Sequence, residues 1–148
     1  MKTKSLKTIA LTALMFAAFT ISAFAKPTEV SKFIVKQFQK QFNQINDVTW
    51  KTTNEFISAS FHTDGKKTSV FYNNDGNLIG VSKEVTLTDL PKAAQKTIDE
   101  HYSKFNVASV IEFTEANGTF NYYIQLQNER KQIILKADEL GYISDFQN

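Results

Sequence analysis

The sequence predicts an α+β fold: two tandem helix-plus-antiparallel-hairpin repeats that join into one sheet with both helices on one face. Three observations predict it. Two stretches place apolar residues at helical spacing, and each is followed by short runs in which apolar and polar residues alternate. Polar turns containing glycine separate those runs. The late strands of the two halves also align without gaps, residues 57–80 over residues 122–145.

The first 25 of the 148 residues stand apart from this domain. Lys2, Lys4 and Lys7 precede "IALTALMFAAFTISAFA", which carries no charge and closes on Ala23, Phe24 and Ala25. A basic start, an apolar run and a small-x-small end form the pattern that signal peptidase reads. Residues 1–25 are therefore expected to be a Sec-type signal cleaved after Ala25, placing a bacterial protein in the periplasm or outside the cell. No cysteine follows the run, so a lipoprotein signal is not expected. The run is short for a spanning helix, which needs roughly 20 apolar residues, so no stable membrane insertion is expected after cleavage.

Residues 28–86 form the first expected repeat. Val30, Phe33, Ile34, Phe38, Phe42 and Ile45 make one apolar stripe, with Thr28 as the expected N-cap and Lys32, Lys36, Gln39 and Lys40 on the solvated side. Four β-rich runs follow: "DVTWKTT", "EFISASFH", "TSVFYN" and "LIGVSKEV", with turns at Asp64-Gly65 and Asp75-Gly76. Residues 87–148 form the second repeat. Thr88 or Asp89 is the expected cap, Pro91 suits the first turn, and Ala94, Ile98, His101, Tyr102 and Phe105 make the expected buried stripe. Four more β-rich runs complete the chain. In the alignment Phe61 falls on Leu126, Asp64 on Glu129, Val70 on Leu135 and Gly76 on Gly141, and the second copy holds five more residues around Asn117-Gly118. One such unit alone would bury a single sheet face under one helix, which is marginal; two joined through their sheets share one larger sheet.

Composition narrows the function. The chain holds 17 basic and 15 acidic side chains; three of the lysines and no acid lie in residues 1–25, leaving 14 against 15 and a net charge of −1. No basic block remains to bind a phosphate backbone, so nucleic acid is not an expected partner. There is no cysteine, so residues 26–148 must rest on their apolar core, to which five tyrosines, Trp50 and most of the 13 phenylalanines contribute.

Chemistry-bearing patterns are scarce. The sequence has no thiol nucleophile and no Gly-x-Ser-x-Gly elbow, and its two histidines, His62 and His101, have no ligand partner at metal-binding spacing. The carboxylate pairs Asp99/Glu100, Glu112/Glu115 and Asp138/Glu139 are of the kind any globular chain carries. No catalytic residue, metal or cofactor is expected, and the protein is read as a non-enzyme. The run "NNDGN" alternates Asn73, Asp75 and Asn77 as a calcium loop does, but its glycine sits two positions early and no helix leads into it. A hairpin turn accounts for it better, because Asn, Asp and Gly tolerate positive φ.

Four stretches, "VTW" at 48–50, "FYNNDGNLIG" at 71–80, "LPKAAQKTIDEHY" at 90–102 and "YYIQLQ" at 122–127, resemble the PepSY-like proteins of β-lactamase-inhibitor-protein-like (BLIP-like) fold. The resemblance spans 28–148, with "DELGY" departing from the family's Asp-Gly turn. It implies a small exported bacterial protein whose relatives include peptidase-inhibitory segments and an inhibitor that grips an enzyme with its sheet. Fold likeness alone does not transfer such a role.

Alternation assigns each strand residue a face. Val48, Trp50, Ile57, Ala59, Phe61, Val70, Tyr72, Tyr122, Ile124, Leu126 and Leu135 are expected to face the helices. The opposite, open face is expected to present Lys51, Phe56, Ser58, His62, Phe71, Tyr123, Gln125, Gln127 and Ile134, beside Ser60 and Lys136. Exposed aromatics among polar groups are typical of a recognition surface. The expected function is an exported binding module, inhibitor-like in character, that meets a protein partner of the cell envelope or exterior through this face. The alternative is a periplasmic small-ligand or metal-binding carrier with a pocket between sheet and helices.

Overall fold

Ser31 starts the first helix. Its hydroxyl accepts the Phe33 N–H at 3.3 Å and meets one of the unpaired donors of the first turn of α1 (Lys32–Gln41). The structure, a computed structural model, describes residues 30–147, so both the expected signal segment and Thr28 lie outside the described residues. Ile34 and Phe38 are the residues α1 buries.

Eight strands follow: β1 (Thr49–Thr52), β2 (Ile57–Thr63), β3 (Lys66–Tyr72), β4 (Leu78–Val85), β5 (Asn106–Glu115), β6 (Phe120–Gln127), β7 (Gln132–Asp138) and β8 (Ile143–Gln147). They form one antiparallel sheet in chain order. A second helix, α2 (Lys92–His101), lies between β4 and β5 in sequence, yet those strands still pair directly, Gly80 opposite Glu115 and Val85 opposite Val110.

Residues directly opposite in an antiparallel pair point to the same side. One such row runs Phe61, Thr68, Lys83, Glu112, Tyr122 across β2 to β6. It joins the apolar cluster under α1, which contains Ile34, Phe38, Ala59, Phe61 and Val70, to the cluster under α2, which contains Ala94, Ile98, Ile124, Leu126 and Leu135. Both helices therefore cover the same face. Every strand residue expected to face them belongs to these clusters or packs against them. Phe38 is the centre of the first: its ring stacks on Phe42 at 5.0 Å and meets Trp50 and Phe61 edge-on at 5.4 and 5.6 Å. Burying one such ring contributes about 1.5–3 kcal/mol.

The second helix departs from expectation at both ends. Asp89 belongs to a 3-10 turn (Leu87–Asp89) that precedes it, and its carboxylate accepts from the Thr86 N–H at 2.8 Å. Pro91 takes the N-cap position, and the Gln95 side chain closes the turn by donating to the Leu90 carbonyl at 2.7 Å. His101 ends the helix and is exposed, not part of the buried stripe. Ala94 and Ile98 are the residues α2 buries; position 101, seven on from Ala94, lies near the same line but is the last residue of the helix.

The turn at 73–77 is closed by its own hydrogen bonds. Gly76 donates to the Asn73 carbonyl, Asn73 donates to the Asn77 carbonyl, and the Asn73 side-chain oxygen accepts the Asn77 N–H at 2.8 Å. The Asn73 side chain thus closes the turn on its own backbone, as a hairpin turn does. Among the described residues, no three His, Cys, Asp or Glu side chains gather at a site that could hold a metal.

Candidate functional site

The face away from the helices carries a third apolar cluster. Phe56, Phe71, Ile111, Phe113, Tyr123 and Ile134 form it, and Ile79 and Phe146 pack against it. The rings meet edge-on: Phe56 to Phe71 at 5.4 Å, Phe71 to Phe113 at 6.2 Å, and Tyr123 to Phe146 at 5.1 Å. Such pairs add about 0.5–1.5 kcal/mol beyond the area they bury.

Gly80 makes the longest of these contacts possible. Phe71 on β3 and Phe113 on β5 are separated by β4, so a flat sheet would set them about 10 Å apart. Gly80 sits between them, opposite Phe71, and a Cβ there would stand 2.6 Å from the Phe113 ring and 2.5 Å from the Thr114 carbonyl. With no side chain on β4, Phe113 leans over the strand towards Phe71.

The expected recognition residues therefore divide into two groups. Phe56, Ser58, Phe71, Tyr123 and Ile134 are 3%, 5%, 5%, 3% and 5% exposed. Their expected exposure is corrected: ring-on-ring packing makes these positions a floor. Lys51 and Gln125 are half-buried and His62 and Gln127 are exposed, so these four are the accessible members of the set and form a polar rim beside the floor. Ser109 donates its hydroxyl to the Gln125 carbonyl oxygen at 3.0 Å and steadies that side chain. Burial, and after it the charge of Glu115, push the Tyr123 phenol above its ordinary pKa.

Ile111, Phe113, Ile79 and Phe146 were not among the expected residues of this face. The run "SVIEF" is apolar on both sides of the strand, so alternation did not separate Ile111 and Phe113 from Val110. Ser69, Ser82 and Asn121 are buried polar groups on the same face; Ser69 bonds Ser60 hydroxyl to hydroxyl at 2.7 Å.

Among the hollows that adjoin the sheet, two lie on its opposite faces. One, of about 400 Å³, opens on the helix-free face at the β1–β3 end, where Lys51, Ser58, Ser60, His62 and Lys67 line it with Asp47 and Thr49. The other, of about 450 Å³, lies on the helix face past the end of α1, between Phe42, Ile45, Thr63 and Lys83. The protein-partner and small-ligand readings thus use opposite sides of the sheet.

The described residues form an eight-stranded antiparallel sheet with two helices on one face. Solved structures share it. A DUF2874 family protein from Bacteroides uniformis superposes with a TM-score of 0.71 at 15% identity, covering 77% of this chain and 86% of that one. A Bacteroides eggerthii protein, provisionally described as periplasmic, gives 0.72 at 15% identity over 78% and 86%. A BLIP-like protein from Bacteroides fragilis gives 0.69 at 18% identity over 83% and 91%. At these identities the likeness shows the fold alone. No family model and no curated protein matches the sequence. Among the described residues no helix is long and apolar enough to cross a membrane.

Proposed function

We propose that the chain is an exported, non-enzymatic binding module of the PepSY-like kind, inhibitor-like in character, which receives a protein partner of the cell envelope or exterior on its helix-free face. The observation that carries this reading is the floor and rim of that face: mutually packed aromatics with the accessible Lys51, His62, Gln125 and Gln127 beside them. Rigid aromatic packing beneath adaptable polar groups lowers the ordering cost of binding. The partner touches the rim first; the floor sets the rim's shape. The B. fragilis and B. eggerthii structures support a BLIP-like fold and an envelope setting.

The same proposal includes tandem repeats over about 28–86 and 87–148. The turns at the aligned glycines support it. Gly141 donates to Asp138, Asp138 donates to Tyr142, and the Asp138 side chain accepts the Tyr142 N–H at 2.9 Å, reproducing bond for bond the turn at Gly76. Each turn lies against the start of its own helix, Gly76 under Phe33 and Ile34, Gly141 under Pro91 and Ala93.

Phe56→Ala or Tyr123→Ala would remove buried rings and cost about 3–5 kcal/mol of stability, confounding any loss of binding. Rim variants avoid this. Affinity capture from envelope extract with the exported protein should enrich a protein that His62→Glu/Gln127→Glu no longer enriches. Equal capture by parent and variant would sink the proposal. Mass spectrometry of the exported product should show a chain beginning at Lys26; an uncleaved chain would contradict the export step.

A further inference from the structure

The turn that joins β5 to β6 carries chemistry that a binding role does not use. We infer that Asn117 is a self-modification site: in the folded protein its side-chain amide is slowly replaced by a carboxylate, through attack of the Gly118 main-chain nitrogen.

Such an attack needs an amide followed by a nitrogen that no side chain shields. Asn117 is the only asparagine of the sequence that precedes a glycine. Asn117, Gly118 and Thr119 are all exposed, and a Cβ at Gly118 would meet nothing within 4 Å. Water therefore reaches the amide, and a ring forming there has room. The turn at Asp75-Gly76 makes the contrast. Gly76 donates to the Asn73 carbonyl as Gly118 donates to the Glu115 carbonyl, but Gly76 lies under Phe33 and Ile34.

A second bond favours the reaction. The Thr119 N–H donates to Asn117 Oδ1 at 2.9 Å. That oxygen takes up negative charge when a nitrogen adds to Cγ, and a donor already aimed at it stabilises the tetrahedral state. Nucleophile, amide and donor sit in one turn, so none has to be collected from solution. The bond from the Gly118 N–H to Glu115, at 2.9 Å, acts as the brake, because it opens before the nitrogen loses its proton.

The atoms balance with water and hydroxide as the co-reactants. Hydroxide removes the Gly118 proton. The nitrogen bonds Cγ, the Cγ–Nδ2 bond breaks, and Nδ2 leaves as ammonia with a proton from water. Water then opens the resulting succinimide at either carbonyl, giving aspartate or isoaspartate. Nothing is oxidised or reduced. Either product adds a negative charge beside Glu115. The isoaspartyl form also lengthens the main chain by one carbon, in a hairpin whose Ala116 N–H donates at 3.1 Å to the carbonyl of Ile79, a residue packed on the aromatic floor.

The test holds the purified exported protein, folded, in heavy-oxygen water from neutral to mildly alkaline pH. Isoelectric focusing should show an acidic species that accumulates faster as the pH rises. Peptide mass mapping should place labelled aspartate and isoaspartate at position 117, and Asn117→Gln should lose the species. Equal accumulation in parent and Asn117→Gln would overturn the inference, as would a first conversion at another asparagine. So would conversion at Asn117 that occurs in urea but not in the folded protein, since the fold would then protect the site.

Discussion

At Gly141 the backbone has φ +89°, and a Cβ would stand 2.9 Å from the Ala94 backbone nitrogen. At Gly76, with φ +85°, it would meet the Phe33 ring at 2.8 Å, and at Gly118, with φ +89°, nothing within 4 Å. The three positions share one backbone strain and differ in what lies in front of them. Alanine at Gly118 should therefore cost only the strain, about 1 kcal/mol. Gly76→Ala should cost slightly more, since the Phe33 ring is 55% exposed and can swing aside. Gly141→Ala should cost most, about 2–3 kcal/mol, because a helix backbone cannot move alone. Urea unfolding of the three variants checks the order; equal losses would mean that the turns do not press on the helices. The matched positions of Gly76 and Gly141 were legible in the sequence, but the helix start behind each of those two turns was not, since that contact joins segments more than 40 residues apart.

Between the two helix-bearing halves, one exposed carboxylate ties the turn at 86–89 to β3. Asp89 accepts from the Thr86 N–H and hydroxyl, each at 2.8 Å, and from Lys66 Nζ at 3.1 Å. Those bonds, the Thr86 N–H first, lower its pKa to about 2. A carboxyl lowered on folding stabilises the native state above the ordinary carboxylate range near 4, and that contribution is lost as the pH falls from about 4 to about 2. Asp89→Asn should thus be less stable than the parent at pH 6, and the gap should close by about pH 2. A constant gap would show that the ion is not what matters. The other element-scale prediction concerns α1: Phe38→Ala should cost about 3–5 kcal/mol by thermal or urea unfolding, because the ring is fully buried among three aromatic neighbours. Both helices and the inward strand residues follow from apolar spacing, which is local. Caps follow less well: a 3-10 turn at Leu87–Asp89 inserted ahead of α2 displaced the cap expected at Thr88 or Asp89.

For the whole molecule, the sheet has a helix-covered side and a side that carries an aromatic floor of its own. The first was legible because alternation and the helix stripes report it directly. On the second, residue types were legible and their burial was not: Phe71 and Phe113 meet across an intervening strand through the missing side chain of Gly80, a contact that period-two alternation cannot encode. In the proposed reading a partner touches Lys51, His62, Gln125 and Gln127, the accessible members of that side, and not the buried Phe56, Phe71 and Tyr123. Site-specific photocrosslinking in envelope extract tests that claim most directly. A photoreactive phenylalanine analogue at His62 or Gln127 should yield the same discrete protein adduct, and the analogue at Lys36 on α1 should yield none. Adducts at Lys36 with none at His62 and Gln127 would contradict the account.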